Sequence, residues 1–128
     1  MAHAEASIGT TNYLVAINAG HHEFKADESV ALGGKDVGPA PYELLCSALC
    51  ACTSITLRMY AERKQWPLLG ADVNVHYKRS GNKEMIERVL KFAGELNDQQ
   101  RARLADIAER TPVTLTLRKG LPIVTTLE

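Results

Sequence analysis

No excess of either charge marks this chain: 15 Lys+Arg stand against 15 Asp+Glu over 128 residues, a formal net charge of zero. Recruitment by bulk charge to a nucleic-acid backbone or an anionic membrane is therefore not expected. A long hydrophobic run is also missing. The longest apolar stretch, Leu44 to Leu57, is interrupted by Ser47, Thr53, Ser54 and Thr56 and falls short of the ~20 residues a spanning helix needs, so no transmembrane segment is expected. The opening Met1–Thr10 has neither a basic n-region nor an apolar h-region, which makes the cytoplasm the expected compartment. Cysteine is scarce and odd in number. Cys46, Cys50 and Cys52 fall within seven residues, which excludes a disulfide framework and predicts reduced thiols. Neither an internal repeat nor a low-complexity segment is present.

What remains, 45% hydrophobic and 23% charged residues, fits one soluble globular domain over residues 1–128. At this length folding buries roughly two-thirds of the unfolded surface, so a core needs no staples. Residues 1–11 read as a loose or edge-pairing arm. Tyr13–Ala19 and His22–Asp27 form a predicted hairpin around Gly20-His21. A Gly- and Pro-rich loop over Val30–Pro41 leads into a helix from Tyr42 to about Lys64, with Pro41 at the first helical position and Trp66-Pro67 beyond its end. Alternation of Val73, Val75 and Tyr77 with Asn74, His76 and Lys78 predicts a half-exposed strand over 71–79. Residues 84–94 make the returning strand, with Ile86, Leu90 and Phe92 on one side and Arg88 interrupting the pattern. Asn97 and Gln100 form an N-cap signature for a helix running to Arg110, Thr111-Pro112 restarts the chain as a short helix, and Gly120–Leu127 reads as a final strand. The class is α+β.

The first four turns of the long helix are apolar almost all round. Such a helix must be covered on every side, which a chain of this size struggles to do alone, so a second copy is expected to complete the cover.

On a helix, Cys50 lies about 40° from Cys46, whereas Cys52 lies about 160° from Cys50 and 120° from Cys46. The three thiols cannot meet, and a Cys50–Cys52 disulfide is geometrically poor. Only Cys46 and Cys50 have metal-ligand spacing, without a second pair nearby, so neither metal nor cofactor is expected. Cys52 shares its face with Leu45, Ala48, Ile55, Thr56 and Met59. Read by residues alone it is either a buried small hydrophobe or a thiol activated by a group elsewhere. The N-terminus of its own helix is some 16 Å away, too far for the dipole to act. Cations that could serve from elsewhere are Arg58, Arg63, Lys64, His21, His22 and His76, each also an ordinary surface group. Cys46 and Cys50 read as packing residues.

Gly38-Pro39-Ala40-Pro41-Tyr42-Glu43-Leu44-Leu45 and Ala48-Leu49-Cys50-Ala51-Cys52-Thr53-Ser54-Ile55-Thr56-Leu57-Arg58 resemble the central-helix signature of the OsmC/Ohr family. Ile86-Glu87-Arg88, the helix from Gln99 to Ala108 and Thr111-Pro112-Val113 follow in the family's order, so the resemblance covers roughly residues 10–127. It implies an OsmC-like α+β fold: an interlocked homodimer whose long central helices pack between antiparallel-rich sheets from both chains, with sites at the subunit interface. It also implies a thiol peroxidase that reduces organic hydroperoxides in the oxidative stress response. In that scheme Cys52 takes the place of the peroxidatic cysteine, which becomes a sulfenic acid and is captured by a second thiol.

The family's second cysteine falls here on Thr111, so the reductant must be an external thiol, such as the dithiol lipoamide of the Ohr branch. Its activating arginine on the N-terminal strands has no counterpart, Lys25 being the only cation before Lys35. Lys25 also lacks arginine's bidentate fork. The family's glutamate position falls on Tyr42, while Glu43 stands nine residues before Cys52, about 180° round a regular helix. Glu43 is a candidate catalytic group, although an acid in the first helical turn is also favoured by the dipole alone. Two readings of function remain from the sequence. Either Cys52 turns over hydroperoxides, or the dimer holds a small apolar ligand in an interface pocket without catalysis.

Overall fold

Alternating side chains set the first sheet. In a computed structural model that describes residues 1–128, the chain forms two compact units, residues 1–45 and 46–128. In the first, β1 (Ala4–Ile8), β2 (Val15–Ala19) and β3 (His22–Ala26) make an antiparallel sheet in that order. Ile17 faces Phe24 and Ala6 across the two ladders, and half-buried Val15, Ile17 and Ala19 alternate with exposed Ala16 and Asn18. The edge-pairing reading of the N-terminal arm is the one adopted, since β1 pairs along all of β2.

Strand β3 stops at Ala26, one residue short of the predicted end, and beyond it the chain closes on the carboxylate of Asp27. Asp27 is 3% exposed. Its Oδ1 accepts from the amides of Tyr13 (3.2 Å) and Glu28 (2.7 Å), and its Oδ2 from those of Lys35 and Val37 (3.2 Å each). Burial pushes this carboxyl upward, but the four backbone donors outweigh it and hold it below the ordinary carboxylate range. Gly34 is required beside it: a Cβ there would lie 2.1 Å from the Glu28 carbonyl oxygen and 2.8 Å from Asp27 Oδ1.

Helix α1 spans Pro41–Lys64, matching the predicted start and end. Proline opens it where a missing N–H costs nothing. It ends one residue before Trp66-Pro67, because Gln65 turns left-handed (φ 58°). There the amide of Gln65 bonds the Glu62 carbonyl and that of Trp66 bonds the Ala61 carbonyl, the paired closure of a Schellman motif. Trp66 then packs edge-on against Tyr60, ring centroids 5.5 Å apart.

The second unit adds β4 (Gly70–Ser80), β5 (Lys83–Ala93), α2 (Asp98–Ala108) and α3 (Pro112–Lys119). The two strands form an antiparallel hairpin in which Val75 faces Arg88 and Val73 faces Leu90. Asn97 and Gln100 build the predicted capping box on α2, each side chain taking the other's backbone amide. Gly94 is held at φ 123° with the Pro67 carbonyl oxygen 2.0 Å from where a Cβ would sit. The core joins Leu57, Tyr60 and Ala61 of α1 to Leu68, Leu96, Leu104 and Ala108, with Trp66, Leu90, Phe92 and Ile107 packed against them.

By length and composition α1 is apolar enough to cross a membrane, with a mean hydropathy of 1.4 in its 18-residue window. Its Leu57, Tyr60 and Ala61 are instead sealed into this core. Another stripe of the same helix is open: Ala48, Ala51, Ile55 and Met59 are exposed. One predicted element is absent. Residues 121–128 carry no regular structure: a strand needs a ladder partner, and none of the five strands pairs with this segment. Leu121, Ile123, Val124 and Leu127 are left exposed.

Candidate functional site: the Cys52 sulfur and the start of helix α3

Cys52 lies on α1 and is half-buried. All three cysteines are free thiols. The Cys52 sulfur meets the beginning of α3, where Thr111 is the N-cap and Pro112 the first helical residue. A capping threonine ordinarily accepts the amide of the second or third helical residue. Thr111 makes no such side-chain bond. Its hydroxyl lies 2.6 Å from that of Thr114, and the Val113 amide donates instead to Cys52 Sγ at 3.5 Å. The sulfur therefore faces an unspent backbone donor at the positive end of a helix dipole, a setting that favours negative charge. Sequence reading looked for this dipole on α1 and missed it on α3. The signal was the Thr111-Pro112 start itself, read only as a capping device.

A second omission is Arg88. Its place on β5 is inward, between half-buried Ile86 and Leu90, so what looked like a break in the pattern is a cation on the core face. The side chain is 10% exposed. Its Nη1 donates to Thr53 Oγ1 at 3.1 Å and to Thr114 Oγ1 at 2.9 Å, and its Nη2 stands 3.8 Å from Glu109 Oε2. Glu109 is shared with Arg118. Thr53 and Thr111 are fully buried. Thr53 donates to the Leu49 carbonyl at 2.7 Å, which turns its lone pairs to the guanidinium. Every buried polar side-chain atom in this cluster has a partner.

The other sequence candidates are engaged in contacts of their own. Glu43 accepts the Ala40 amide at 2.9 Å, the capping use expected of an acid in the first turn. Cys50 points its thiol at the Val73 carbonyl, 3.6 Å away, as a packing residue does. Arg58 donates to the Leu68 carbonyl and lies 3.7 Å from Glu62. Arg63 and Lys64 sit over the Tyr60 ring at 5.5 and 5.7 Å. His21 and His22 stack on each other. No group of three or more His, Cys, Asp or Glu side chains is arranged to hold a metal ion.

A helix-borne thiol met by the start of a second helix, beside an antiparallel hairpin, defines an α+β protein with a single-cysteine site. The chain belongs to the OsmC-like protein family, whose model matches residues 33–126. The fold is similar to that of an OsmC-like protein from Mycoplasma pneumoniae, with 19% identity, a TM-score of 0.79, and coverage of 92% of this chain and 87% of that one. It is also similar to an organic hydroperoxide resistance protein OsmC from Legionella pneumophila (21% identity, TM-score 0.66, covering 92% and 89%). A third likeness is to an organic hydroperoxide resistance protein from Elizabethkingia anophelis (18% identity, TM-score 0.71, covering 92% and 88%). At these identities the likeness is one of fold. No curated protein sequence matches the chain.

Proposed function

We propose that this chain, a single OsmC-like domain working as a cytoplasmic homodimer, reduces organic hydroperoxides through Cys52 and is recycled by an external thiol. The observation that carries the reading is the Val113 amide on Cys52 Sγ at 3.5 Å, since a thiol that attacks a peroxide must carry negative charge and an N–H at a helix start stabilises it. In the first step the Cys52 thiolate attacks one peroxide oxygen. An S–O bond forms, the O–O bond breaks, and the departing alkoxide takes a proton to leave as an alcohol. The sulfur, oxidised by two electrons, is then a sulfenic acid.

Thr111 stands where the family's second cysteine would be, and its hydroxyl cannot capture that sulfur. Cys46 and Cys50 share α1 with it and point elsewhere. A reductant thiol therefore condenses with the sulfenic acid, releasing water and leaving a mixed disulfide, and a second thiol returns Cys52 to its reduced form while the reductant departs as a disulfide. A homodimer fits the exposed apolar stripe Ala48, Ala51, Ile55 and Met59 and the bare segment 121–128, which a second copy would cover. Three closely spaced free cysteines suit a reducing compartment.

Peroxide consumption with dihydrolipoamide or dithiothreitol tests the reading. Wild type is expected to consume an organic hydroperoxide and to trap dimedone at Cys52, and Cys52→Ser to do neither. Equal rates in the two proteins would refute it. Exposure of Ile55 and Met59 at 54% and 65% favours as the second reading a non-catalytic dimer that holds a small apolar ligand near this face. Wild type inert to peroxide but saturably quenching or displacing an apolar dye would establish it.

A further inference from the structure

The Arg88 side chain is taken almost wholly out of water, at 10% exposed, and its contacts are unevenly distributed. Of its donors, Nη1 alone meets two helices: Thr53 Oγ1 on α1 at 3.1 Å and Thr114 Oγ1 on α3 at 2.9 Å. Those threonines directly follow Cys52 and Val113 in sequence, the two residues that share the 3.5 Å N–H to sulfur bond. Both hydroxyls are constrained as acceptors. Thr53 spends its proton on the Leu49 carbonyl at 2.7 Å, and Thr114 lies 3.4 Å from the Ala108 carbonyl while sharing a 2.6 Å bond with Thr111. One nitrogen with two hydrogens thus pins two helices at the residues flanking the thiol contact. The Thr114 end of the clamp also keeps the Thr111 hydroxyl turned inward, away from the Val113 amide it would otherwise cap.

A guanidinium buried to this degree is costly unless its partners are fixed. If Arg88 served only to bind β5 to the core, an aliphatic side chain such as those of Ile86 and Leu90 beside it would do so without that cost. We propose that Arg88 is a positioning residue for Cys52: by tying Thr53 of α1 to Thr114 of α3, it holds the start of α3 so that the Val113 amide is presented to the sulfur. The inference rests on Cys52 being the working thiol of the proposed function, but its readout requires no turnover.

The experiment measures the rate at which iodoacetamide alkylates Cys52, with Cys46 and Cys50 followed in the same sample by peptide mass spectrometry. Arg88→Met removes the clamp at similar volume, and Arg88→Lys keeps the charge and donors on a flexible stem. Thr114→Val cuts the α3 end of the clamp, together with the Thr114 bonds to Thr111 and the Ala108 carbonyl, while leaving Arg88 with Thr53 and Glu109, and so guards against a fold lost in Arg88→Met. In Arg88→Met and Thr114→Val the Cys52 rate is expected to fall roughly tenfold, the size of effect that goes with losing one charge-assisted hydrogen bond, with Cys46 and Cys50 unchanged and Arg88→Lys partly restored. An unchanged Cys52 rate in folded Thr114→Val overturns the proposal, as does an equal change at all three thiols, which is what mere loosening would give. A wild type without peroxidase activity whose Cys52 rate still falls selectively in both variants would sink the peroxidase reading and leave the positioning role standing.

Discussion

At the scale of single residues the site is an exchange of hydrogen-bond partners. Thr111 gives up the capping bond its position invites and turns to Thr114, which frees the Val113 amide for sulfur. That geometry makes a specific prediction about Thr111. Thr111→Cys is expected to form a disulfide with Cys52 on addition of one equivalent of peroxide, seen as the loss of two hydrogens from the intact mass and as a Cys52-containing cross-linked peptide. Only the sulfenic acid, without the cross-link, would mean that this turn cannot reach the sulfur. Resemblance alone singled out Cys52 and Thr111 in the sequence, and the structure sets the two beside each other across the Val113 amide. Arg88 was not legible as a site residue. A charged residue inside an alternating strand looks like noise until its partners are known, and Thr53 and Thr114 lie 35 and 26 residues from it.

Elements were far more legible than their junctions. The β2–β3 hairpin, α1, the β4–β5 hairpin and the capped start of α2 all fall where periodicity and capping chemistry put them, since each depends on neighbours in sequence. What escaped were features made by distant backbone. Asp27 gathers amides from residues 13 to 37 and so closes the loop after β3 onto the residues that precede β2. Its carboxyl is held below the ordinary value by those four bonds despite burial. With the folded value depressed, the carboxylate contributes stability that is fully present above the unfolded carboxyl's titration near 3.9 and is lost as pH falls through the lower, folded value. Asp27→Asn is expected to destabilise the protein at neutral pH and to flatten its acid unfolding curve below pH ~4 relative to wild type, measured by denaturant melts from pH 7 to 2. Parallel curves for the two proteins would show that this carboxylate does not govern acid stability.

For the whole molecule the decisive feature is surface that one chain does not cover. Helix α1 seals Leu57, Tyr60 and Ala61 inward and leaves Ala48, Ala51, Ile55 and Met59 in water. The sequence foretold this problem from the helix's apolar circumference, and the missing ladder partner explains why Gly120–Leu127 is not a strand within one chain. On the proposed dimer, wild type is expected to sediment at twice the 14.0 kDa chain mass. Replacing Ile55 and Met59 together by Asp should shift it to a single chain, because two unpaired carboxylates cannot be buried at a contact without large cost. Wild type running at the mass of one chain would defeat the assignment.

The bare hydrocarbon of Leu121, Ile123, Val124 and Leu127 also bears on how the protein must be handled at the bench. When shelter for such groups comes from association, mass action makes folding strength a function of dosage. Melting temperature should then climb with each tenfold rise in concentration. Assays run at nanomolar enzyme would see fewer working molecules per mole of chain than the same preparation held at micromolar.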